Sequence, residues 1–130
     1  MYAPAHFAEP RLEVMHQLMR AQPLATVVTL CRDGLNANHI PLYLETEGSA
    51  PYGFLRGHVA RANPLWRDFD EATGALVIFQ GPQACISPSR YPDKQENGRV
   101  VPTWNHATAR ARGSLHIHDD AGWLRPGWPV

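Results

Sequence analysis

Leu24-Ala25-Thr26-Val27-Val28-Thr29-Leu30-Cys31, followed by Arg32-Asp33-Gly34 and then Leu35 through Leu44, is the stretch that decides the fold. The first eight residues are β-branched and apolar, which suits a pleated, half-buried surface. Asp33-Gly34 is a turn dipeptide of the hairpin kind, and the apolar run resumes directly after it. The pattern is therefore strand, tight turn, strand. Pro41 interrupts the second strand and predicts an edge, a bulge or a break in the ladder, because proline has no N–H to donate.

Working outward, Pro10 to Ala21 predicts a helix, with proline near its first turn and Leu12, Met15, Leu18 and Met19 on one apolar stripe. Arg11, Glu13 and Arg20 lie outside the stripe, and Pro23 ends the segment. Gly53 to His58 predicts a third strand, and Ala62 to Phe69 a short helix capped by Asn63-Pro64. Ala75 to Gln80 predicts a buried strand, Gly81-Pro82 a turn, and Ala84 to Ser87 another short strand. Ser87 to Gly98 predicts a loop, Val100 to Asn105 extended chain, and Gly113 to His118 a last alternating strand. That amounts to six or seven short strands joined by hairpins, with two helices. Such an order favours a mainly β (α+β) antiparallel barrel with peripheral helices over a doubly wound sheet.

The chain has 130 residues, 44% of them hydrophobic, which is enough for one domain with a real core. Formal net charge is zero. Strong, direct duplex binding is not the first expectation from that balance, since phosphates are neutralised by an excess of Lys and Arg. No helix-turn-helix is visible. Cys31 and Cys85 form no CxxC pair and predict two reduced, buried thiols. No apolar run is long enough to span a bilayer, and the N-terminus lacks signal-peptide character, so the expected location is cytoplasmic. Nucleophile-elbow, Walker and GxGxxG signatures are missing, so hydrolase and triphosphatase readings have no support.

The segment richest in chemistry is Arg56-Gly57-His58-Val59-Ala60-Arg61-Ala62-Asn63-Pro64. Arg56 and His58 are two apart on a predicted strand and share a face. Arg61 follows, just before a predicted helix start. Guanidinium forks and helix-terminal amides both suit phosphate oxygens. Two readings stay open on spacing alone: a phosphate seat, or a solvated basic face with ordinary helix capping. In Asn36-Ala37-Asn38-His39-Ile40-Pro41, Asn38 and His39 suit a polar heterocycle, or else form a satisfied pair at an edge strand. Pro102-Thr103-Trp104-Asn105-His106 offers an aromatic wall, or else an ordinary core or interface tryptophan. His116-Ile117-His118-Asp119-Asp120 is too fragmentary for a metal site, and no metal is expected.

Taken in order, these segments resemble the PaiB-type family of FMN-binding negative transcriptional regulators. The resemblance rests on Met1-Tyr2-Ala3-Pro4-Ala5-His6-Phe7, Ala37-Asn38-His39-Ile40-Pro41-Leu42, Arg56 through Pro64, Phe79-Gln80-Gly81-Pro82, Ile86-Ser87-Pro88 and Val101-Pro102-Thr103-Trp104-Asn105. It implies an FMN-binding split barrel over residues 1–120, followed by a short, truncated Pro/Gly-rich tail at 121–130. It also implies a homodimer holding FMN at its interface. Arg61 would pair with the FMN phosphate, supported by Arg56, His58 and Asn63. Asn38 and His39 would lie near the flavin ring or ribityl chain. Trp104 and Asn105 would close the site, from the other subunit. The implied function is negative transcriptional regulation; the alternative on the same fold is an FMN-dependent oxidoreductase of the flavin-reductase or pyridoxamine-phosphate-oxidase-like kind. No catalytic residue is assigned.

Overall fold

Side chains along the opening hairpin alternate between the inside and the outside of a sheet, as its composition predicts. In the computed structural model, which describes residues 4–90 and 101–124, β1 (Leu24–Cys31) turns through Arg32-Asp33 into β2 (Gly34–Glu45), with Cys31 paired to Gly34 and Leu24 to Pro41. Gly34 has φ +112°, a backbone region that side-chain-bearing residues rarely adopt, so glycine is needed there. Ala25, Val27 and Thr29 point inward from β1 and are buried. Opposite them on β2 stand Ile40, Asn38 and Asn36.

Pro41 falls where β2 changes partners. Pairing with β1 ends at Pro41, and pairing with β3 (Phe54–Gly57) begins at Leu42 opposite Gly57. The missing N–H thus sits at the switch, which is the break in the ladder that the sequence predicts. Leu42 N–H is satisfied by Pro23 C=O at 2.8 Å. Gly57 is the close approach in this pair, since a Cβ there would collide with Leu42 and Ile40.

The sheet is completed by β4 (Ala75–Ile86) and β5 (Thr103–Gly113), giving five antiparallel strands in the order β3-β2-β1-β4-β5. Helix α1 (Leu12–Ala21) covers the inner face: Met19 is buried, and Met15 and Leu18 pack against a core of Ala25, Val27, Ile40, Leu44, Leu65, Val77, Phe79 and Ala109. The architecture is mainly β, of the split-barrel type. Among the described residues, no helix is long and apolar enough to cross a membrane.

Four elements and the burial of the two cysteines differ from the sequence expectation. Helix α1 starts at Leu12, two residues late, because the Glu9 carboxylate takes the Arg11 backbone N–H at 3.0 Å and holds Arg11 extended. Ala62 to Phe69 forms only one 3-10 turn, Pro64–Trp66. Contacts to the β1 end, including Asp70 N–H to Leu30 C=O at 2.7 Å, pull the following chain out of helix. Gly81-Pro82 is not a turn but a bulge within the continuous β4, between the pairs Gln80–Thr108 and Gln83–His106. Gly81 fits there because a Cβ would strike Leu18 of α1. The last strand runs from Thr103 to Gly113, not from Gly113 to His118, because its partner β4 begins at Ala75, opposite Gly113. Both cysteines are free as expected, but Cys85 is exposed and Cys31 half-buried. Residues 1–3, 91–100 and 125–130, which carry the start of the opening motif, most of the Ser87 to Gly98 loop and most of the tail, lie outside the described residues.

Candidate functional site

The predicted site residues fall into two clusters. The first is built of amides. Asn38 points inward from β2, where an apolar side chain would ordinarily sit, and its polarity is satisfied by two other asparagines. Its Nδ2 donates to Asn36 Oδ1 at 2.7 Å, and its Oδ1 accepts from Asn63 Nδ2 at 2.9 Å. Asn63 Oδ1 accepts the Leu65 backbone N–H at 2.9 Å, which caps the Pro64–Trp66 turn. A single hydrogen-bonded chain therefore runs from that turn to β2, beside the buried Leu65. All three amides are half-buried, and each keeps an N–H not used within the chain. Asn36 was not singled out from the sequence, although its position two before Asn38 puts it on the same face.

The second cluster is built of arginines. Arg56 on β3 bonds through Nε to Glu45 Oε2 at 2.6 Å, and its guanidinium lies 5.5 Å from the Trp123 ring centre. Arg61 grips Asp119 with both terminal nitrogens, Nη1 to Oδ2 at 3.0 Å and Nη2 to Oδ1 at 2.7 Å. These hydrogen bonds, reinforced by charge attraction, hold the Asp119 carboxyl below the usual carboxylate range and raise Arg61. Both side chains are well exposed, at 74% and 53%. Arg61 C=O accepts Trp66 Nε1–H at 3.1 Å, which ties its backbone to the turn. His58 is exposed, one residue past the end of β3. The expected helix-end contribution to an anion seat is corrected here. A single turn sums almost no dipole, and its Leu65 N–H is already taken by Asn63.

Three further candidates stand apart from these clusters. His39 is exposed on the face of β2 opposite to Asn38. Trp104 and Asn105 lie near the start of β5, opposite Cys85 and Ala84, and Trp104 Nε1 donates to Gln83 Oε1 at 2.9 Å. Arg61 is held instead by Asp119, six residues past the Gly113 end of that strand, an end about 30 Å from Trp104 at the usual rise per residue. His116 Nε2 bonds Ser114 Oγ at 3.0 Å, and the His118 ring stacks on Trp123 with centres 4.6 Å apart.

Chemically, the arginine cluster can hold an anion. The guanidinium fork already takes a two-oxygen acceptor in the geometry that a phosphate would use. The amide cluster can present N–H donors to a polar ring. Donors of these two kinds are what a phosphate and a polar ring call for, and none of these residues is a general acid or base aimed at a second reactant. Asp119 and Trp123, which engage the arginines, carry no sequence signal for that contact. They lie 58 residues from Arg61 and 67 from Arg56.

Residues 1–127 match the family described as "Putative FMN-binding domain". An uncharacterized protein of Emericella nidulans is 34% identical, over 93% of this chain and 58% of its own length. The Bacillus subtilis "Protease synthase and sporulation protein PAI 2" is 36% identical, over 90% of this chain and 53% of its own length. An uncharacterized Saccharomyces cerevisiae protein is 27% identical, over 95% of this chain and 83% of its own. The chain thus spans little more than half the length of the first two.

Proposed function

Because the chain belongs to the FMN-binding domain family matched over residues 1–127, we propose that it binds FMN in a homodimer and acts as a cytoplasmic negative transcriptional regulator. The observation that carries the reading is the Arg61 fork, exposed and already gripping a two-oxygen acceptor, in the segment that bears the family likeness. In this reading Arg61 takes the phosphate, and Arg56, His58 and Asn63 support it. Asn38 lines the flavin with its amide, while His39 faces away from it across β2. FMN, when bound, supplies electron-transfer chemistry of its own, so few protein groups are required for it. Residues 1–120 form the binding domain and 121–130 a short tail.

A second copy supplies what one chain keeps apart. Trp104 and Asn105, whose described hydrogen bond is to Gln83 and not to the arginine cluster, close the site from the partner. The outer face of the first hairpin offers the contact surface: Leu24, Leu30 and Leu35 lie on one side of β1 and β2, exposed by 60%, 37% and 81%. Zero net charge argues for repression through a partner protein and not by direct duplex contact. The Bacillus subtilis relative, whose name ties it to protease synthesis and sporulation, supports a regulatory role.

The test is an absorbance spectrum after incubation with FMN and desalting, with sedimentation of the same sample. Retained flavin bands and a dimer mass are expected. A flavin-free spectrum overturns the cofactor assignment, and a monomer that retains FMN overturns the interface. Consumption of NADH or NADPH by the loaded protein would move it to the oxidoreductases.

A further inference from the structure

We propose that residues 116–123, the segment following β5, are a built-in competitor for the anion seat, with the Asp119 carboxylate occupying the Arg61 fork that the FMN phosphate must take. The proposal rests on the FMN reading above and adds a regulation to it. Two contacts bring this one segment onto the two arginines, and two more within it shape the chain. Asp119 meets Arg61 through both oxygens, at 2.7 and 3.0 Å. Trp123 lies against the Arg56 guanidinium at 5.5 Å and stacks on His118 with planes 5° apart. Asp120 Oδ1 accepts the Gly122 N–H at 2.8 Å, which folds the chain so that Trp123 returns toward the sheet.

A carboxylate and a phosphate present the same pair of oxygens to a guanidinium, so the two cannot share the fork. Exposed ion pairs are weak. The Asp119 contact is therefore weak enough for a dianionic ligand to displace, and Trp123 against Arg56 adds a second hold on the segment. Binding of FMN then releases the segment from Arg61. By reciprocity, anything that captures the released segment raises the affinity for FMN by the same factor by which FMN favours its release. The segment is thus a route by which cofactor occupancy is reported to a partner.

The experiment measures FMN dissociation constants from the quenching of flavin fluorescence for the wild type, Asp119→Asn, Arg61→Ala and the double variant. Asp119 is exposed, so its substitution should move the thermal midpoint only slightly, which a melt checks. Asp119→Asn is expected to bind FMN about 2- to 5-fold more tightly, as an exposed ion pair allows, and the gain should vanish in the Arg61→Ala background. Weaker or unchanged binding in Asp119→Asn overturns the proposal, since Asp119 would then position Arg61 or be inert. If the wild type takes up no FMN, or if Arg61→Ala binds as well as wild type, the phosphate assignment itself fails and the proposal falls with it.

Discussion

The amide cluster and the arginine cluster lie on neighbouring stretches of chain, yet they are held by opposite means. Asn36, Asn38 and Asn63 are half-buried and, among the described residues, are linked to one another and to the Leu65 N–H. Arg61 and Asp119 meet in solvent, exposed by 74% and 53%. A buried donor that loses its partner costs the fold its desolvation, whereas an exposed ion pair returns to water almost freely. The amides are thus part of the architecture as well as candidate ligand donors, whereas Arg61 contributes to binding with little part in the fold. Stability should therefore respond far more to the amides than to Arg61.

The largest expected effect tests that separation from the binding side. Arg61→Ala should weaken FMN binding by about 10- to 150-fold, the worth of a charge-assisted contact to a phosphate. Its urea midpoint should stay at the wild-type value. A large loss of stability in this variant would erase the distinction between the clusters. Arg61→Lys should fall between the two, because it keeps the charge and loses the fork.

From the other side, Asn38→Leu should cost about 1–3 kcal/mol in urea denaturation, because it strands Asn63 Nδ2 and Asn36 Oδ1. The smaller change Asn63→Ala should cost about 1 kcal/mol, the usual worth of an N-cap. If Asn38→Leu proved as stable as wild type, water would be reaching the amide chain, and the inner cluster would be as loosely held as the arginines.

How much of this could be read in advance depends on sequence distance. The hairpin of β1 and β2 is legible because an eight-residue apolar run with four β-branched residues at its centre meets a glycine that its turn requires. β5 is concealed by composition: Ala107-Thr108-Ala109-Arg110-Ala111-Arg112 has poor strand propensity, though its period of two is regular, with Ala109 buried. Gly81-Pro82 reads as a turn because the dipeptide is one elsewhere, and only β5 lying alongside makes it a bulge. Within the candidate site, Arg56 and Arg61 stand out in one short motif. The outward aspect of His39 follows from its odd spacing to Asn38. The contacts that define the clusters, Asn63 with Asn38 across 25 residues and Arg61 with Asp119 across 58, are tertiary and leave no local trace.

The smallest expected effect is a titration. Arg61 depresses Asp119, so this carboxyl is ionised in the fold at pH values where it would be protonated in the unfolded chain. A depressed folded pKa contributes stability above the unfolded value, about 3.9, and loses it as pH falls through the folded value. Between pH 8 and 5 the Arg61–Asp119 contact should therefore be constant, and FMN affinity should show no step attributable to Asp119. Carboxyl-carbon NMR should place the Asp119 midpoint below 3.9 in the wild type and return it upward in Arg61→Ala. Glu9 provides the internal control: hydrogen bonds from the Arg11 side chain and backbone hold it at about 2, and it should not move in that variant. An Asp119 midpoint that is ordinary in the wild type would mean that the carboxylate does not occupy the fork in solution. The arginine cluster would then be open to the phosphate without competition, and the contrast with the closed amide chain would be sharper still.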